Sequence, residues 1–207
     1  MFKKEEFIKE IKEAFKNVKL EDGIGLWEAQ GHDDRLNIEE CKKLRRKDEK
    51  EDWTKIPLIH VYQCSSSLTF FDAKGLRFHF PIFLLFALGV FTKEQQELTT
   101  KGELKGCSEP DIERMLVSIS NFKNDTDAIQ YKQFYIEQFS LFNSLQLNCI
   151  IKYLEYRMYE LESYYKTDAA KEIGLLPIAI QYDKEYMQLQ EVIMYWTNEF
   201  PSNSDHL

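Results

Sequence analysis

Turn-forming residues are scarce in this chain, with 8 Gly and 5 Pro among 207 residues. Together with long stretches at helical period, that scarcity predicts an all-α fold. Cysteine is scarcer still. Cys41, Cys64, Cys107 and Cys149 are widely spaced and form no C-x-x-C pair, which leaves zinc and redox motifs without support. Free thiols in a reducing cytoplasm are the simplest expectation. The first ten residues hold no apolar signal-peptide core. No apolar run reaches the roughly 20 residues of a membrane span, so no membrane is expected as a partner. Ser65-Ser66-Ser67 has no Gly-x-Ser-x-Gly elbow and reads as turn and capping hydroxyls. The glycines at 23 and 25 lack the preceding strand and the third glycine of a dinucleotide fingerprint. These absences leave no catalytic residue, metal or cofactor to name.

What the chain does have is one aromatic and apolar stretch, Cys64 to Phe91. Asp72 is placed to cap a helix, since its carboxylate accepts a free first-turn N–H. Gly75 inside that helix costs about 1 kcal/mol of propensity, so packing must hold it. Pro81 predicts a break at Phe80-Pro81 and a second helix from there to about Val90. That second helix is apolar on every side and is expected to be buried on every side. Ile82, Phe83, Leu84, Leu85, Phe86 and Leu88 would supply a gross driving force on the order of 10 kcal/mol. The expected architecture is one compact multi-helix domain over residues 1–207, around a buried central helix at about 81–90.

Periodicity predicts further helices at 3–18, 38–51, 110–120, 144–164 and 183–198, with Asn37 and either Asn143 or Ser144 as caps. The polar stretch from Thr92 to Glu109 reads as a linker between an N-terminal part and an acidic, tyrosine-rich helical part over 110–200. The segment from Gly23 to Asp34 is the least ordinary. Glu28, Gln30, His32, Asp33 and Asp34, with His79 from the core stretch, form one candidate ligand site. The competing reading makes the segment a connector with Trp27 in the core and its acids in water. For His79, as for any histidine in an apolar run, a hydrogen-bonded core role is the commoner one.

Charge is unevenly spread. Net charge is −8, and residues 107–207 carry 8 Lys and Arg against 16 Asp and Glu. Such a field disfavours nucleic acid and suits a basic partner. Ten of the 11 tyrosines lie from Tyr131 to Tyr195. Tyr153, Glu155, Tyr156, Tyr159 and Glu160 are therefore a candidate interface, because tyrosine offers large apolar area with a polar tip. In the bland alternative these tyrosines rim the core.

The runs from Asp22 to Gly31, Asp48 to Trp53 and Ser66 to Pro81 resemble a bacterial domain family of unknown function. The likeness covers about residues 5–92 and, more loosely, 146–154. It implies a cytoplasmic bacterial protein and transfers no activity or catalytic residue. The leading expectation is a non-enzymatic interaction module of the immunity or antitoxin kind that covers a basic protein. The alternative is an enzyme or small-ligand binder using the 23–34 segment.

Overall fold

The expected two helices of the core stretch are one. In a computed structural model, which describes residues 2–119 and 126–200 (backbone only for 126–131 and Glu199), Ala73–Ala87 is continuous. This helix is α5 in chain order, after α1 Lys4–Ala14, α2 Leu26–Asp33, α3 Ile38–Leu44 and α4 Leu58–Gln63. Asp72 caps it as expected, accepting the Gly75 N–H at 2.7 Å. Pro81 lies inside, so the carbonyl of Arg77 loses its usual partner. Such a proline costs about 3 kcal/mol. Every residue from Phe78 to Leu85 is buried, and that burial outweighs the local penalty. The helix ends at Leu88, and Gly89 adopts φ +68° in the corner that leads into α6, Thr92–Thr100.

Polar as it is, the stretch after Thr92 is helical over its first half. Leu98 holds it down in a small cluster with Leu58 and Tyr62. The chain continues with α7 Ile112–Ser118, α8 Thr126–Phe139, α9 Ser144–Tyr164, α10 Asp168–Glu172 and α11 Lys184–Met194. No strand occurs among the described residues. Asn143 starts α9 with a full capping box: its side chain takes the Gln146 N–H, and Gln146 takes the Asn143 N–H. Pro110 stays outside α7, which Asp111 caps instead. The last helix changes to π geometry over Tyr195–Glu199.

One cluster of buried side chains runs from Phe7 in α1 to Phe200. Its aromatic centre joins elements far apart in sequence. Phe80 meets Phe142 edge-on at 5.1 Å and Phe139 at 5.7 Å. Phe139 in turn meets Trp196 at 5.0 Å. Side chains also close backbone ends across elements, as where Trp53 donates to the Phe15 carbonyl at 2.9 Å. Gln138 donates to the Phe71 carbonyl at 2.6 Å, and Gln146 to that of Ala14 at 3.0 Å. Among the described residues no single helix is long and apolar enough to cross a membrane.

Candidate functional site

α2 begins without a side chain at its N-cap, because that residue is Gly25. Its first N–H groups need an acceptor from elsewhere. Asp48 supplies one, taking the Trp27 N–H on Oδ1 at 2.7 Å. Arg45 turns inward beside it. Its guanidinium donates to the carbonyls of Gly23 and Glu21 and pairs with Glu28 at 2.8 Å. These contacts end α3 at Leu44 and convert Arg45–Lys47 into a 3-10 turn, where the charge pattern alone predicts a solvated helix to residue 51. Asp72 completes the crossing by accepting the Ile24 N–H at 2.9 Å as well as that of Gly75. The three segments touch at glycines. A Cβ at Gly25 would collide with the Asp48 carboxylate, one at Gly75 with the Ile24 carbonyl, and one at Gly23 with the α5 backbone.

A cavity of about 240 Å³ lies beside this crossing. Leu26, Trp27, Asp48, Ile56, His60 and His79 wall it, with Lys47, Glu49 and Lys55 at its edge. Burial pushes the Asp48 carboxyl up to about 6, against the pull of the amides of Trp27 and Glu28. Burial also takes His79 down to about 4, the bond to the Gly75 carbonyl notwithstanding. His60 is lowered as well, by partial burial and by the charge of Lys47. The His79 ring stacks on Phe71 at 4.6 Å and meets Phe78 edge-on. Trp27 meets His60 edge-on at 5.2 Å, and the Lys47 ammonium lies 4.3 Å from the Trp27 ring centre.

The six ligand candidates do not converge. Glu28 faces Arg45. Gln30 bonds Asp33 at 3.4 Å and Asp34 at 3.1 Å on the exposed side of α2. His32 turns toward Cys41, its Nδ1 3.9 Å from the sulfur. His79 alone of the six lines the cavity, at 1% exposure. Among the described residues no group of three or more His, Cys, Asp or Glu is placed to hold a metal ion. Trp27, Asp48 and His60, which do wall the cavity, lie outside the set of ligand candidates, although the sequence places Trp27 in the core. One signal for them was present: a helix opened by glycine calls for a carboxylate from another segment.

The candidate interface on α9 is partly internal. Tyr153 is 2% exposed and its hydroxyl meets Glu113 at 3.3 Å. Tyr156 is buried, with its hydroxyl on Glu160. Tyr159 is half-buried beside Phe2, and Glu155 is exposed. Arg157 gathers Glu113 at 2.6 Å, Glu160 at 2.7 Å and Glu185 at 3.0 Å, and so ties α7, α9 and α11 together. Tyr186 and Tyr165 add hydroxyl bonds to Glu162 and Asp183.

Apolar exposure is concentrated further along. The 3-10 turn Pro177–Tyr182 buries none of its residues. Ile173 is 68% exposed, Leu176 59%, Ile178 71% and Tyr182 75%. Tyr164, Met187 and Met194 are exposed as well. Residues 160–194 carry seven acidic and three basic side chains. A groove of about 570 Å³ elsewhere, floored by Trp53, Ile56, Ile82 and Leu85, has rim acids already paired within the chain, Glu51 with Lys19 and Asp52 with Lys55.

The chain belongs to a family of unknown function (DUF6714), whose model matches residues 3–200. No curated protein and no solved structure matches it.

Proposed function

We propose that this member of the family is a non-enzymatic interaction module that covers a basic protein, in the manner of an immunity or antitoxin partner. The observation that carries the reading is the exposed apolar connector Ile173 to Tyr182 within a net-acidic part of the chain. Scattered single apolar residues on a surface are ordinary, but a run of them in a net-acidic surround is a binding feature. Ile178 and Tyr182 would supply the apolar contact, and the net acidic charge of residues 160–194, Glu172 among it, the field that selects a cationic partner. Tyr153 and Tyr156 support this surface from inside, since their hydroxyls and Arg157 fix the helices that carry it. We place the protein in the cytoplasm, where its four free thiols stay reduced.

The test is differential capture from the native host. Wild-type chain and the double variant Ile178→Asp, Tyr182→Asp are immobilised side by side, and retained proteins are identified. The expected result is a protein of strongly basic composition that binds the wild type and not the variant. It should be released at about 1 M salt, where the screening length is about 3 Å. Recovery of no basic protein, or equal recovery on both baits with matched circular dichroism, would overturn the reading.

A further inference from the structure

The groove of about 570 Å³ runs between the end of α1, the 3-10 turn Trp53–Lys55 and the corner that follows α5. Its volume falls in the range of small-molecule sites, which are mostly apolar with a few placed polar groups. The apolar walls can be reached from solvent. Val90 is 38% exposed, and Val18 and Phe91 are half-buried. Beneath them the floor of Trp53 and Ile56 is nearly closed. The polar groups on the α1 side, Lys12, Lys16 and Asn17, are all exposed.

Charge selects the occupant. Glu51 takes Lys19 at 2.5 Å, and Asp52 takes Lys55 at 3.4 Å and the Thr54 hydroxyl at 2.6 Å. Lys16 reaches Glu13 at 3.2 Å. Lys12 has no such counter-ion among the described residues. Its helix neighbours three and four positions away are Ile8, Lys9, Phe15 and Lys16, and none can pair with an ammonium. The side-chain amide of Asn17, a residue held at φ +61°, likewise meets no acceptor among the described residues. A cation entering the groove would have to take a carboxylate from a lysine. An anion finds two accessible donors beside apolar walls.

We propose that this groove binds a monocarboxylate with an unbranched apolar chain, of the size of a medium-chain fatty acid. The chain lies against Val18, Val90 and Phe91, and the carboxylate accepts from Lys12 Nζ and Asn17 Nδ2. The methylene stems of Lys12 and Lys16 extend the apolar contact. An alcohol of equal length keeps the chain and loses the ion pair. An alkylammonium brings a charge of the same sign as Lys12. A short carboxylate keeps the ion pair and loses the apolar contact. This site is separate from the exposed connector of the preceding section and stands or falls independently of it.

The experiment titrates the full chain calorimetrically with butanoate, hexanoate and octanoate, and with octan-1-ol and octylammonium as matched controls. The expected result is saturable binding of one octanoate per chain. Affinity should rise about twofold to fourfold per methylene along the acid series, the upper figure being that of a fully buried methylene. Octan-1-ol should bind more weakly, and octylammonium more weakly still. Lys12→Glu should lower octanoate affinity about tenfold and leave that for octan-1-ol unchanged. Asn17→Gly, which suits the positive φ, should weaken octanoate severalfold, as for one lost hydrogen bond. Lys9→Glu makes the same charge change on α1 away from the groove and should have little effect. No saturable octanoate binding, equal binding of octanoate and octylammonium, undiminished octanoate affinity in a folded Lys12→Glu, or an equal loss in Lys9→Glu would each overturn the proposal.

Discussion

Asp48 and His79 wall the same cavity and are shifted in opposite senses, which gives a pH signature at the scale of single residues. The Asp48 carboxyl is raised by burial from 3.8 to about 6, so its contribution to stability is full below the lower value and lost as pH rises through the upper. His79 is lowered by burial from 6.5 to about 4, so its contribution is present above the upper value and lost as pH falls through the lower. Between about pH 4 and pH 6 the two slopes oppose each other. In Asp48→Asn the His79 slope stands alone. Urea denaturation should show the variant losing ground to wild type as pH is lowered across that window. A gap that stays constant with pH would show that Asp48 is not buried as described. Gly75 gives a second residue-scale prediction. Helix propensity alone says that Gly75→Ala should stabilise by about 1 kcal/mol. The Ile24 carbonyl occupies the space a Cβ needs, so the substitution should instead destabilise, by about 1–3 kcal/mol in a urea melt.

At the scale of elements, Arg157 is the cation on which α7, α9 and α11 meet, and it is only about a third exposed at 29%. Arg157→Leu should leave Glu113, Glu160 and Glu185 facing one another and cost about 2 kcal/mol, between the values for exposed and buried pairs. The loss in melting temperature should be larger at low salt, where carboxylate repulsion is least screened. A melting temperature equal to wild type at low salt would contradict that role. Much of this level could be read from the chain. The Asp72 and Asn143 caps, the apolar stripe of α9 and the burial of the stretch before Thr92 all follow local rules that the structure obeys. Pro81 does not, because a proline rule weighs one hydrogen bond while packing weighs a whole buried helix. Arg45 and Asp48 escape notice because a run of mixed charge resembles a solvated face. They turn inward only because a glycine-capped helix start elsewhere in the chain needs their groups. The inward face of Tyr153 was available in the sequence after all, since it falls four residues after Cys149 and three after Ile150, in register with the buried face of α9.

For the whole molecule, five residues of the N-terminal half do architectural work. Gly23, Gly25, Asp48, Asp72 and Gly75 let three segments cross at close range, and α5 follows from that crossing into the centre of the core. The acidic half is held by Arg157 and by tyrosine hydroxyls, and it presents apolar side chains around Ile178 to solvent. The most direct measurement is hydrogen exchange on the protein alone and with the basic protein that the proposed reading expects it to capture. Protection gained on binding should fall within residues 168–194, with the amides of α5 unchanged. Protection that instead gathers around Trp27 and His60, or along α1 and α5, would contradict the placement of the binding surface.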